Sequence, residues 1–128
     1  MKAPKILIVD DEPDVVLFIA RTLKSEGFDV ISAYDGISAL DLAETESPDL
    51  MLLDIMMPMM SGYEVCEQLK SNPQTQHIPV VCVSSAHNPH ARDRSRDAGA
   101  ATLLLKPFSP AELVAQIKRH LPQAHEAV

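Results

Sequence analysis

Residues 50–62 read Leu-Met-Leu-Leu-Asp-Ile-Met-Met-Pro-Met-Met-Ser-Gly. Leu50 to Leu53 is an unbroken apolar run that stops at Asp54. A strand covered by helices on both faces reads this way, whereas a strand with one wet face alternates apolar and polar residues. Just beyond it, Ser61-Gly62-Tyr63-Glu64 matches a helix-opening capping box, and the helix runs to about Lys70. Ile6 to Val9 and Val80 to Val83 repeat the unbroken pattern; Val30 to Ala33 is a weaker strand, and Leu103 to Leu105 carries no β-branched residue. Helix signals fill the gaps. Asp14 to Glu26 sets Val16, Ile19, Ala20 and Leu23 on one stripe before Gly27, a C-terminal capping residue. Ser38 to Thr45 carries Ala39, Leu40, Leu42 and Ala43, and His90 to Ala98 is a polar helix closed by Gly99. Ser109-Pro110-Ala111-Glu112 opens a last helix with an N-cap serine, proline at the first position and glutamate at the third; it runs to about Leu121. Strand and helix alternate five times. The expectation is an α/β fold: a doubly wound five-stranded parallel sheet, (βα)5, with right-handed crossovers.

Ligands of such sheets bind beyond the carboxyl ends of the strands. The first strand ends in Asp10-Asp11-Glu12, the third in Asp54, the fourth in Ser84-Ser85 and the fifth in Lys106-Pro107-Phe108. Each alone is an ordinary turn or surface residue. Together they put several carboxylates, a hydroxyl and an ammonium in one cleft. Clustered carboxylates repel one another unless a cation shares the site, and hard oxygen donors of this charge favour Mg²⁺. A lysine can pair with phosphoryl oxygens, and a free aspartate can attack phosphorus in line to give an acyl phosphate.

Composition narrows the classes. The 128 residues include 46% hydrophobic and 23% charged residues, the make-up of one globular domain. A formal charge of -7 repels a nucleic-acid backbone, so no nucleic-acid binding by this domain is expected. No apolar run reaches the roughly 18 residues of a membrane span, and no signal-peptide pattern precedes the first strand, so membrane association is not expected. Cys66 and Cys82 form no CxxC pair and read as buried thiols of a reducing compartment. His87 and His90 read as solvated turn residues.

Four segments carry a resemblance: ILIVDDEP at 6–13, PDLMLLDIMMPMMSG at 48–62, IPVVCVSSA at 78–86 and GAATLLLKPF at 99–108. They resemble the CheY-like receiver domains of response regulators, with family-like spacing from Lys5 to about Leu121. The resemblance implies a flavodoxin-like, CheY-like fold and a single receiver domain over 1–128, its core about 5–121 and residues 122–128 a tail or the start of a linker. It implies that Asp54 is phosphorylated, that Asp10, Asp11, Asp54 and the backbone carbonyl of Met56 hold Mg²⁺, and that Ser84 and Lys106 contact the phosphoryl group. Pro107 would form a cis peptide bond with Lys106. The donor would be a phosphohistidine of a histidine kinase or histidine phosphotransfer protein, in the cytoplasm. The domain would then switch the surface it shows to an output partner, as a monomer or weak dimer, and would catalyse only its own phosphorylation and dephosphorylation.

The sequence departs from the family's pattern in places. Leu103 stands where many receivers carry a switching aromatic, which implies weak coupling between Asp54 and the surface formed by the fourth helix, fifth strand and fifth helix. Chemical-shift mapping with and without beryllofluoride tests this: small changes across residues 90–98 are expected, and large ones would sink it. Met56 and Ala86, which flank the acyl phosphate in the family, cannot orient an attacking water, so a slowly hydrolysing phosphoryl group is expected. The methionines at 56, 57, 59 and 60 read as packing filler, or alternatively as an adaptable edge beside the site. The alternative is a phosphorylation-independent pseudo-receiver, and the residues oppose two further readings. A haloacid-dehalogenase-like phosphatase needs an acid where Met56 stands, and a nucleotide binder needs a donor-rich loop where Asp10-Asp11-Glu12-Pro13 stands.

Overall fold

In the computed structural model, which describes residues 2–85 and 87–122, five strands and five helices alternate. They are β1 (Lys5–Val9), α1 (Pro13–Ser25), β2 (Asp29–Ala33), α2 (Gly36–Glu46), β3 (Leu50–Asp54), α3 (Gly62–Ser71), β4 (Val80–Ser85), α4 (Ala91–Asp97), β5 (Thr102–Lys106) and α5 (Pro110–His120). All strand pairs are parallel, in the order β2-β1-β3-β4-β5. The three unbroken apolar runs are the three inner strands, and the two weak ones are the edges, where a strand has a neighbour on one side only. The sheet divides two cores. Leu7, Val9, Met51, Leu53 and Cys82 face one, with Tyr63, Val65, Cys66 and Leu69 of α3. Ile6, Ile8, Leu50, Leu52, Val81 and Val83 face the other, against Val16, Ile19 and Leu23 of α1 and Leu113 and Ile117 of α5. Alternate residues of each inner strand enter different cores, so every position has to be apolar.

The capping signals act as their chemistry dictates. Ser61 accepts from the Glu64 N–H and the Glu64 carboxylate accepts from the Ser61 N–H; Ser109 and Glu112 do the same at α5. Gly27 follows α1 at φ 92°, a left-handed value that glycine reaches without steric cost. Helix boundaries differ from expectation by one or two residues: α1 runs Pro13–Ser25 rather than 14–26 because proline suits a first turn, α2 starts two residues early at Gly36 and ends one late at Glu46, α4 is shorter than 90–98 at both ends, and α5 stops at His120. Both cysteines are free and buried. Arg96 relieves the crowding of Asp93 and Asp97 on α4, at 3.2 and 3.7 Å. Among the described residues no helix is long and apolar enough to cross a membrane. Ala86 and, Pro122 apart, the tail lie outside the described residues.

Candidate phosphoryl-acceptor site

The strand order dictates the site. At the carboxyl edge of β1-β3-β4-β5 the residues fall in the sequence Asp10 and Asp11, Asp54, Ser84, Lys106, with Asp54 in the middle. Carboxylate oxygens of Asp10, Asp11 and Asp54 lie within 4.8 Å of one another. Asp10 and Asp54 are 2% and 5% exposed, and Asp11 lies nearer the solvent. The two buried acids are anchored alike. The Glu12 N–H donates to Asp10 Oδ1 at 2.9 Å, and the Met56 N–H to Asp54 Oδ1 at 3.1 Å. Lys106 Nζ bridges the remaining oxygens, 3.7 Å from both Asp10 Oδ2 and Asp54 Oδ2. The Lys106–Pro107 peptide bond is cis.

One ammonium does not balance three carboxylates. Burial pushes the Asp54 carboxyl up from its ordinary 3.8 to about 6; the charges of Asp10 and Asp11 push the same way, while the Met56 N–H and Lys106 oppose them. The donor set is all hard oxygen, compact and over-charged, and it fits a small divalent cation such as Mg²⁺. Ser84 is 1% exposed, and its hydroxyl donates to the Ser85 carbonyl at 3.3 Å. Leu103 pairs with Cys82 and is half-buried against the α3 core, with no polar atom to offer. Met56, whose N–H reaches Asp54, is 67% exposed. His87 and His90 are exposed beyond β4. The structure thus gathers Asp10, Asp11, Asp54, Met56, Ser84 and Lys106 along one edge, and leaves Leu103 beneath it.

Two supporting residues carried no signal in the strand-end argument. Asp35 caps α2, accepting from the Ser38 N–H at 2.8 Å, and that bond holds its carboxyl below the usual range. Its Asp-x-x-Ser pattern was readable as a cap. Gly62 lies against the backbone of Asp54 and Ile55, a contact between chain segments that spacing alone does not reveal.

The raised Asp54 value has a consequence for stability without metal. The folded carboxyl binds its proton more tightly than the unfolded one, so this group destabilises the fold above pH 6, and the penalty fades as pH falls toward 4. In EDTA, Asp54→Asn should be the more stable protein at pH 7. Its advantage should shrink by about 1 kcal/mol by pH 5. Urea midpoints of both proteins at both pH values measure this, and the difference between them cancels opposing groups such as Asp35. A gap that stays constant would mean that Asp54 ionises as an ordinary carboxylate.

A profile of the response regulator receiver domain matches residues 6–118. The alkaline phosphatase synthesis transcriptional regulatory protein PhoP of Bacillus subtilis is 40% identical over 123 residues, 96% of this chain and 50% of that protein. The chain thus spans about half the length of this curated relative. A CheY-like receiver domain protein from Methanospirillum hungatei superposes with a TM-score of 0.89 at 28% identity, over 99% of this chain and 100% of the other. The receiver domain of a sensor histidine kinase from Pseudomonas aeruginosa, solved with a magnesium ion in its active-site cleft, gives 0.84 at 29% identity, over 91% and 96%.

Proposed function

The chain belongs to the response regulator receiver domain family, and from that premise we propose that Asp54 accepts a phosphoryl group from a phosphohistidine of a histidine kinase or histidine phosphotransfer protein. One observation carries the reading: Asp54, buried with Asp10, is the central member of an acid cluster whose one ammonium, on Lys106, stands 3.7 Å from it. An Asp54 carboxylate oxygen attacks phosphorus as the P–N bond to the donor imidazole breaks, and an acyl phosphate results. Lys106 pairs with a phosphoryl oxygen, and Ser84, by rotating its hydroxyl away from the Ser85 carbonyl, donates to another. Asp10, Asp11, Asp54 and the Met56 carbonyl would hold Mg²⁺. When bound, that ion supplies the positive charge that lets an anionic phosphoryl group enter an acidic cleft.

On this reading residues 1–128 are a single receiver domain with its core at about 5–121. It turns over no external substrate beyond its own phosphorylation and dephosphorylation, and the acyl phosphate shifts the surface offered to an output partner. A cytoplasmic setting belongs to the same reading, in keeping with two free thiols. Intact mass after incubation with acetyl phosphate and Mg²⁺ is the test. One added phosphoryl mass, absent in EDTA, is expected; no addition from acetyl phosphate or from candidate kinases would overturn the reading.

A further inference from the structure

Strand alternation puts Cys82 of β4 on the sheet face that α3 covers. Val80 and Cys82 enter the core that holds Tyr63, Val65, Cys66 and Leu69, while Val81 and Val83 enter the other. Two contacts then fix how α3 lies along the strands. At its start, Gly62 rests against the Asp54 carbonyl, and Asp54 pairs with Val83 of β4. At its end, Lys70 Nζ donates to the carbonyls of Gln76 and Ile78, just before β4 begins. Helix and strand run in opposite directions. Cys66, midway between Gly62 and Lys70, therefore stands against the stretch from Ile78 to Val83 that carries Cys82. Both side chains are fully buried and both thiols are free. The thiols share a hydrogen bond, which pulls Cys66 below its ordinary range; the Lys70 ammonium pulls the same way, against burial and the Glu67 charge. The same bond, with burial and the Cys66 charge, pushes Cys82 up. A lone buried cysteine is a small hydrophobe. Here two meet from distant parts of the chain, and the one with the more acidic thiol has an ammonium one turn away.

The geometry points to Cys66 and Cys82 as a reversible dithiol–disulfide couple that locks α3 onto β4 under oxidising conditions. The Cys66 thiolate attacks a hydroperoxide. The O–O bond breaks, an S–O bond forms, and the peroxide leaves as water or an alcohol with the Cys66 proton. The Cys82 sulfur then attacks the Cys66 sulfur; the S–O bond breaks, and hydroxide departs as water with the Cys82 proton. The two sulfurs give up two electrons in all, and the peroxide takes them. An external dithiol restores both thiols by exchange. Neither sulfur meets solvent in the closed fold, so reaction waits on local openings and favours an oxidant as small as hydrogen peroxide. The bond closes a loop over residues 67–81, which restricts the unfolded chain and holds the helix that rests against Asp54. The couple does not depend on phosphoryl chemistry at Asp54.

The test exposes the whole folded chain to hydrogen peroxide, then unfolds it and alkylates the thiols that remain. Both should be alkylated before peroxide, neither after it, and both again after dithiothreitol. A digest without reductant should join the Cys66 and Cys82 peptides of one chain. The urea midpoint of the oxidised protein should rise by about 1 M or more. Cys66→Ala should keep Cys82 alkylatable through the same exposure, because Cys82 alone is a poor nucleophile; should that variant not fold, the wild-type digest and midpoint decide. Thiols that survive peroxide in the native protein, cross-links between chains in place of the internal one, an unmoved or lowered urea midpoint, or equally fast loss of Cys82 in Cys66→Ala would each overturn the inference.

Discussion

Asp54→Asn should gain no phosphoryl mass from acetyl phosphate and Mg²⁺ under conditions that fully label the wild type. The substitution keeps the shape of the side chain and removes its nucleophilic oxygen anion. Loss of labelling is not expected to come from unfolding, because removing the carboxylate relieves first the cost of burying its charge and then its repulsion from Asp10 and Asp11, which together raise its proton affinity to about 6. The rival acceptors are Asp10 and Asp11, whose oxygens lie within 4.8 Å. Asp10 has the same kind of anchors as Asp54, a backbone N–H and Lys106, so local hydrogen bonding does not separate the two. Strand order does. β3 lies between β1 and β4, so acidic donors flank Asp54 on one side and Ser84 and Lys106 flank it on the other. Asp10 has the edge strand β2 beside it, which contributes no residue to the cluster. A phosphoryl group on Asp54 therefore meets both sets of contacts, and one on Asp10 meets fewer. Persistent labelling of the Asn variant, mapped to Asp10 or Asp11, would sink this assignment.

That strand order was not legible, but the coverage of the strands was. Leu50–Leu53, Ile6–Val9 and Val80–Val83 declare themselves as strands covered on both faces because each of their residues enters a core. The edges are harder: Asp29 is exposed and β2 buries only Ala33 fully, so the apolar signal thins where one flank of the strand is open. The site acids and Lys106 were legible because strand ends in a parallel sheet must converge. The direction of the Ser84 hydroxyl, the proton affinity of Asp54 and the split among the methionines were not, since each depends on atoms from several elements. The filler reading of the methionines holds for Met57 and Met60 and fails for the exposed Met56 and Met59. The cis Lys106–Pro107 bond was implied by resemblance and is found.

Gly62→Ala should cost about 3 kcal/mol, while Gly36→Ala should cost about 1 kcal/mol or less. Both glycines open a helix, both lack a positive φ, and alanine is the better helix former at each, so propensity cannot separate them. The neighbours do. A Cβ on Gly36 would stand 2.7 Å from the Met60 sulfur and 2.9 Å from a Val65 methyl. Met60 is half-buried with a flexible side chain and can swing aside; the buried Val65 methyl gives less, and accounts for the cost of up to about 1 kcal/mol that remains. A Cβ on Gly62 would stand 2.6 Å from both the Asp54 carbonyl oxygen and the Ile55 Cα. Those are backbone atoms at the end of the central strand, held by the Ile55 N–H to the Val83 carbonyl and by the Gly62 N–H to the Ile55 carbonyl. The clash is relieved only by prising α3 from β3 or by shifting the peptide that carries Asp54. Phosphoryl uptake should therefore fall in whatever folded Gly62→Ala remains, and should persist in Gly36→Ala. Urea titration and acetyl-phosphate labelling of the two variants measure both effects. If Gly62→Ala proves no less stable than Gly36→Ala and labels as fast, the close approach of α3 is not what sets the position of Asp54.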